Sequence, residues 1–220
     1  MMIQKLHIVN GMAMYNFFKM TGFLESELMI PFNEAMCYGN TCDDLFSDEF
    51  TEIRAKVHHV TPAQYAEYTL NPLQPLFYED FNQIVLWFDE DMFCQMNLLT
   101  LLAWLDRTDY KGAIELQIVG DHFQPIDSFA LKAEGYYALY KQVLIDKKKP
   151  HDSQPSPLKK GIELYLNYLS KDSDLLLYIQ KHQDVPVEEL VPILIENFKE
   201  YGLGDTQYLE IIKAYRKERT

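Results

Sequence analysis

A chain of 220 residues with 48% hydrophobic and 14% aromatic residues can bury a sizeable core, which argues against an intrinsically disordered protein. The formal net charge is −13, and residues 1–140 hold 7 basic against 20 acidic residues, so this part of the chain would repel nucleic-acid backbones. No apolar run reaches the roughly 18 residues that a membrane span needs. We therefore expect neither a nucleic-acid partner nor a membrane partner.

The cysteines and the first residues bear on the cellular compartment. Cys37, Cys42 and Cys94 form no CxxC pair, and an odd number argues against a disulfide framework. The opening stretch MMIQKLHIVNG lacks the basic segment and the longer apolar run of a signal peptide. We expect a cytoplasmic protein with reduced cysteines, and we expect Cys94 to lie in the core.

Four short apolar runs predict β-strands, since strands buried between helix layers are apolar on both faces. They are residues 6–10, 27–32, 83–88 and 114–119. Helix patterns lie between and after them. One begins behind Gly11, one begins at Thr61 and Pro62, and the clearest covers residues 90–106. Residues 42–50 are predicted to form a loop, and residues 128–147 another helix.

Strands that alternate with helices predict βαβ units with right-handed crossovers. The fold class is therefore α/β, with a small, mostly parallel sheet in a Rossmann-like three-layer arrangement, followed by an all-helical region. We predict an acidic α/β domain at residues 1–148 and a linker at residues 149–157, which hold three prolines and few apolar side chains. Residues 158–220 form the helical C-terminal region, where Pro186 predicts a helix start and Gly202 a helix end.

Polar residues follow each predicted strand, at the edge of a parallel sheet where ligands usually bind. Backbone N–H groups behind Asn10 and Gly11 can hold an anion, or these two residues can form a simple tight turn. Glu34 can act as a general base, accept hydrogen bonds from a ligand, or cap a turn. Asp121 and His122 follow the fourth strand, and His122 is the imidazole best placed for acid–base chemistry.

Three consecutive acids, Asp89, Glu90 and Asp91, precede the clearest helix. With Asp89 as the N-cap and the other two in the first turn, they would match the positive end of the helix dipole. Their negative charge disfavours a phosphate at this position. Gln95 lies one turn after Asp91 on the same helix face, so both remain ligand candidates.

The histidines and cysteines predict no metal site, because no HExxH, HxH or Cys/His spacing occurs. His58 and His59 are adjacent and therefore point in different directions. No GxSxG motif occurs, which disfavours a nucleophile-elbow hydrolase. No motif identifies a cofactor.

Several stretches resemble one family when they are taken in order: LHIVNG, NEAMCYG, the arginine at position 54 and LWFDEDMFCQMNLLTLLAWL. They are similar to the bacterial family called domain of unknown function 1835 over most of the predicted α/β domain, and YGLGDTQYLEIIKAY is similar to its helical C-terminal region. The family has no established activity, so the resemblance implies site candidates without roles. These candidates are Asn10, Gly11, Glu34, Gly39, Arg54, Trp87, Asp91 and Gln95.

Two functions remain open, and the sequence does not decide whether the protein is an enzyme. The first is a small-molecule-binding or enzymatic pocket at the carboxyl ends of the strands, with Trp87 as a wall and a carboxylate from Glu34 or Asp91. Arg54 would contact an anion there, or form a buried salt bridge instead. The second is a protein-interaction or regulatory module that uses the acidic surface or the C-terminal helices. Its exposed aromatic patch would contain Tyr165, Tyr168 and Tyr208.

Overall fold

The chain folds around a sheet with the strand order β2-β1-β3-β4-β5. The structure is a computed structural model that describes residues 4–150 and 156–217. The strands are β1 (Lys5–Asn10), β2 (Leu28–Phe32), β3 (Gln83–Phe88), β4 (Ala113–Val119) and β5 (Pro125–Leu131). The first four run parallel to one another, and β5 runs antiparallel to β4. The predicted small, mostly parallel sheet is confirmed.

Helices lie between and after the strands. They are α1 (Gly11–Thr21), α2 (Asp48–Val57), α3 (Pro62–Tyr65), α4 (Gln74–Tyr78), α5 (Met92–Arg107), α6 (Tyr136–Tyr140), α7 (Ser156–Tyr168), α8 (Asp174–Lys181), α9 (Val187–Asn197) and α10 (Asp205–Lys217). Two π-helical segments, Ala66–Leu70 and Lys141–Ile145, continue α3 and α6, and short 3₁₀ turns cover Asn71–Leu73 and Lys199–Tyr201. Within the described ranges, no helix has the length and apolar character to cross a membrane.

The sheet has a core on each face, which explains why β1 to β4 are mostly apolar. On one face, Leu6, Ile8 and Leu86 pack in the large core that also contains much of α5. On the other face, Trp87 packs in a smaller core with Met14 and Phe18 of α1. Because successive residues of a strand point to opposite faces, Leu86 and Trp87 belong to different cores.

The prediction of a helix over residues 128–147 is wrong in its first part. Residues 125–131 form the edge strand β5, and helix begins at Tyr136. Most side chains of β5 are exposed, so its sequence PIDSFAL lacks the continuous apolar run by which the buried strands were identified. The loop predicted for residues 42–50 ends early, because Ser47 accepts a hydrogen bond from the Phe50 N–H and starts α2 at Asp48.

The C-terminal residues form α7 to α10, as predicted, and α7 packs against α5. Gly161 of α7 makes this approach possible, since a Cβ at that position would overlap the Cβ of Gln95. Gly202 ends a 3₁₀ turn with a φ of 64°. The predicted linker, residues 149–157, falls mostly outside the described residues. Tyr165 and Tyr208 are buried and Tyr168 is half-buried, so these three side chains do not form the exposed aromatic patch expected of an interaction module.

Candidate functional site

A cavity of about 590 Å³ lies at the carboxyl ends of β1 and β2. Its walls come from the start of α1, the loop after β2, the end of α2 and the π-helical segment Ala66–Leu70. Phe93 of α5 and Gln207 of α10 complete it. The cavity therefore lies where ligands of open parallel sheets bind, and the helical C-terminal region contributes to its wall.

Beside the cavity, Arg54 and Glu34 form a buried ion pair. Arg54 is 0% exposed, and its Nε and Nη2 donate to the two carboxylate oxygens of Glu34 at 2.9 and 2.7 Å. The remaining N–H groups of Arg54 donate to the backbone carbonyls of Ala35, Tyr38 and Asn40. A guanidinium has five N–H donors, and all five are used inside the protein. Arg54 therefore forms the structural salt bridge and has no donor left for an anionic ligand.

Glu34 in turn orients His58. Nε2 of His58 lies 3.2 and 3.1 Å from the two Glu34 oxygens. Burial alone would raise the pKa of Glu34, but the Arg54 charge and the hydrogen bond from His58 outweigh it and hold that pKa well below its usual range. Because the carboxylate is ionised, Nε2 of His58 carries the hydrogen and donates it. In the neutral ring Nδ1 is then an acceptor, and no described residue pairs with it.

Tyr65 completes this cluster on the cavity wall. Its hydroxyl donates to Oε1 of Glu34 at 2.7 Å, and its ring stacks on the His58 ring with centroids 5.9 Å apart. Burial raises the pKa of Tyr65, so the hydroxyl stays protonated. The His58 side chain is 32% exposed and reaches the cavity. Of these groups, His58 is the one with a free ring nitrogen for proton transfer.

Asn10 and Glu34 are brought together by Asn97 of α5. Nδ2 of Asn97 donates to Oδ1 of Asn10 at 2.9 Å and to the backbone carbonyl of Glu34 at 2.6 Å. Oδ1 of Asn97 accepts the N–H of Met36 at 2.9 Å. One buried amide thus joins the ends of β1 and β2 to the helix that follows β3.

Asp91 lies near this network but is enclosed. It is the N-cap of α5, where Oδ1 accepts the Cys94 N–H at 2.7 Å; the sequence assigned that role to Asp89. A Cβ on Gly202 would overlap the Asp91 carboxylate, so the C-terminal region covers it. Burial raises the pKa of Asp91 to about 6. Gln95 is fully buried and donates to the Asp89 carbonyl at 2.6 Å. Neither Asp91 nor Gln95 lines the cavity.

Of the other candidate residues, Gly11 lines the cavity, whereas Gly39, Trp87, Asp121 and His122 lie outside it. Gly39 adopts a φ of 74° in the loop whose carbonyls accept from Arg54. Trp87 lies on the opposite face of the sheet, where its Nε1 donates to Nδ1 of His7 at 3.0 Å. Asp121 and His122 are exposed in the turn between β4 and β5. Among the described residues, no group of three or more His, Cys, Asp or Glu side chains could hold a metal ion.

Sequence reasoning missed His58, Tyr65 and Asn97. His58 was set aside because it is adjacent to His59. A better signal is its spacing of four residues from Arg54, which places both on one face of α2. That signal requires α2, and the sequence analysis predicted no helix at residues 48–57.

Comparison with protein-family models, curated proteins and solved structures gave no match to this chain. The family resemblance noted from the sequence therefore stays a prediction.

Proposed function

We propose that this protein binds a small molecule in the cavity at the carboxyl ends of β1 and β2, and that His58 exchanges a proton with it. The observation that carries the proposal is the cavity of about 590 Å³ with His58, oriented by a buried carboxylate, on its wall. Pockets of roughly 300–1,000 Å³ with a few placed polar groups are typical of small-molecule sites.

The lining suits a molecule with both apolar and polar parts. Tyr65, Tyr68 and Phe93 provide aromatic surface, while Gln64 and Gln207 provide amide groups. Tyr68 belongs to a π-helical segment, a backbone irregularity that occurs often at functional sites. The ionised Glu34 is neutralised by Arg54, so the cavity wall carries no uncompensated carboxylate.

Glu34 is a positioning residue in this proposal. Its oxygens already accept from Arg54, Tyr65 and His58, and its low pKa makes it a weak base. The imidazole is therefore the group that takes or gives a proton, and the carboxylate fixes its tautomer and orientation. The three free, buried cysteines suit a reducing compartment, and a cytoplasmic location is part of the proposal.

The experiment is a thermal-shift screen against nucleotides, sugars and amino acids. A ligand at 100 times its Kd would stabilise the folded state by about 2.7 kcal/mol, or several degrees in Tm. Val60→Trp would fill the mouth of the cavity from a residue that is 39% exposed. Ile195→Trp on α9 is the matched control, since Ile195 is also 39% exposed and does not line the cavity.

Hits that Val60→Trp abolishes and Ile195→Trp preserves would support the site. Compounds that still bind the Val60→Trp variant would refute the cavity as their binding site. His58→Gln then tests proton exchange: binding should persist, while the proton uptake or release that accompanies binding, measured in buffers of different ionisation enthalpy, should disappear. Unchanged proton exchange in His58→Gln would exclude the imidazole.

A further inference from the structure

The first turn of α1 carries backbone N–H groups that no side chain caps. Asn10 occupies the N-cap position, but its side chain makes no capping hydrogen bond. Its amide is turned to α5 instead, donating to Sγ of Cys94 at 2.8 Å and accepting from Asn97. The first turn also contains no acidic residue. The eleven-residue helix thus presents the positive end of its dipole unopposed.

A second observation at the same cavity concerns Asn33. This residue is 7% exposed and lines the cavity, and its Oδ1 is buried without a hydrogen-bond partner among the described residues. Its Nδ2 is used, because it donates to the Tyr68 carbonyl at 3.0 Å. A buried acceptor without a donor costs about 1–3 kcal/mol, so a group that supplies the donor would be bound favourably.

The two features are neighbours. Asn10 and Phe32 are paired in the parallel ladder of β1 and β2, so Gly11 and Asn33 leave adjacent strand ends. Neighbouring strands lie about 4.8 Å apart. Gly11, Met12 and Asn33 all line the cavity. The site therefore offers donors for an anion beside an acceptor for a hydrogen-bond donor.

Resting on the proposed function, we infer that the ligand is a small carboxylic acid with a donor on its neighbouring carbon, an α-amino or α-hydroxy acid. The carboxylate binds the free N–H groups at the start of α1. The ammonium or hydroxyl group donates to Oδ1 of Asn33, and the Asn33 side chain must turn towards the cavity for this contact because Oδ1 is buried from solvent. The remainder of the molecule lies against Tyr65, Tyr68 and Phe93, which favours an apolar or aromatic side chain.

Four probes separate these contributions in calorimetric titrations of the unaltered protein. L-Phenylalanine carries both groups, 3-phenyllactate replaces the ammonium by a hydroxyl, 3-phenylpropionate lacks the donor, and phenethylamine lacks the carboxylate. We expect L-phenylalanine or 3-phenyllactate to bind about tenfold or more tightly than 3-phenylpropionate and phenethylamine. The tighter of the first two identifies the donor.

Two variants assign each group to its partner. Asn33→Leu should reduce the affinity for the tighter probe to that of 3-phenylpropionate, whose own affinity should not change. Gly11→Ala should weaken both carboxylates, because its φ of 83° disfavours any side chain and shifts the start of α1. Gly135→Ala is the matched control, since Gly135 has the same φ and the same open space around its Cβ position but lies outside the cavity.

Equal affinities for all four probes would overturn the inference. Affinities that neither Asn33→Leu nor Gly11→Ala changes would also overturn it. If none of the four probes binds, but Val60→Trp abolishes the binding of other screened compounds, the inferred ligand class is wrong and the proposed binding cavity is retained. If Val60→Trp abolishes the binding of no compound, the proposed function itself fails. The comparison among probes uses the unaltered chain, so it does not depend on how well a variant folds.

Discussion

The guanidinium of Arg54 and the carboxylate of Glu34 form a two-point ion pair in which neither side chain is exposed to solvent. The pair joins α2 to the loop after β2, because Arg54 also donates to the backbone carbonyls of Ala35, Tyr38 and Asn40. Charges removed from water this completely are tolerated when every donor and acceptor is satisfied, as it is for Arg54.

Breaking this pair should cost more than breaking any surface pair. We expect Arg54→Met to lower the free energy of unfolding by about 3–5 kcal/mol, because it leaves a buried carboxylate and three carbonyls without their donor. Glu34→Gln should cost less, since the amide oxygen still accepts from Arg54, and the double variant should cost less than the two single changes together. Urea denaturation measures all three.

Arg107→Met is the control for that series. Arg107 pairs with Asp44 at 2.5 Å, but both side chains are substantially exposed, so we expect a loss below about 1 kcal/mol. A loss at Arg107 equal to that at Arg54 would contradict the role assigned to burial.

His7 should make stability depend on pH between about 4 and 6.5. Burial lowers the pKa of His7 to about 4, while its neighbour Trp87 donates to Nδ1 and suits the neutral ring. The unfolded chain binds the proton first, so the contribution is fully present above pH 6.5 and is lost as pH falls towards 4, by up to roughly 3 kcal/mol. In His7→Asn the amide oxygen can still accept from Trp87, and the difference from the unaltered chain should shrink as pH falls through this range.

Asp91 should affect the pH dependence of stability in the opposite direction to His7, over nearly the same pH range. Its pKa is raised to about 6, so its ionisation destabilises the folded protein as pH rises through that value. Asp91→Asn retains an N-cap oxygen for the Cys94 N–H and should be about 1–3 kcal/mol more stable than the unaltered chain at pH 8, with no gain near pH 4. Chemical denaturation at the two pH values tests this.

Asp91→Ala provides the comparison for that prediction. It removes both the charge and the cap, so it should fall below Asp91→Asn by about 1 kcal/mol at either pH. Equal stability of the two variants would show that the cap contributes nothing.

Gly161→Ala should destabilise the protein although alanine favours helix by about 1 kcal/mol. A Cβ at this position would overlap the Cβ of Gln95, which is fixed to the α5 backbone, so the packed helices must separate. We expect a net loss of about 1–3 kcal/mol in thermal or urea unfolding. Glu163→Ala on the exposed side of α7 is the control and should change stability by less than about 0.5 kcal/mol.

The sequence predicted the sheet better than the cavity, and the difference has a physical cause. The strands β1 to β3 are largely buried on both faces and have apolar runs, and β4 is apolar apart from the half-buried Glu115 and Gln117. The edge strand β5 is mostly exposed and lacks such a run, so its residues 128–131 were predicted as helix. The convergence of Asn10 and Glu34 followed from the rule that parallel strands share a carboxyl edge. Asn97 and His58 depend on which residues face inward from α5 and α2, and that requires the packing of those helices.

Gln207, three positions into α10, lies on the same cavity as Gly11 at the start of α1. A molecule bound there would contact both α1 and α10. Its binding would therefore stabilise the packing of α10 against the rest of the protein. Backbone amides of α10 would then exchange with deuterium more slowly when a ligand fills the cavity. Hydrogen exchange in α10 would thus detect ligand binding at the start of α1.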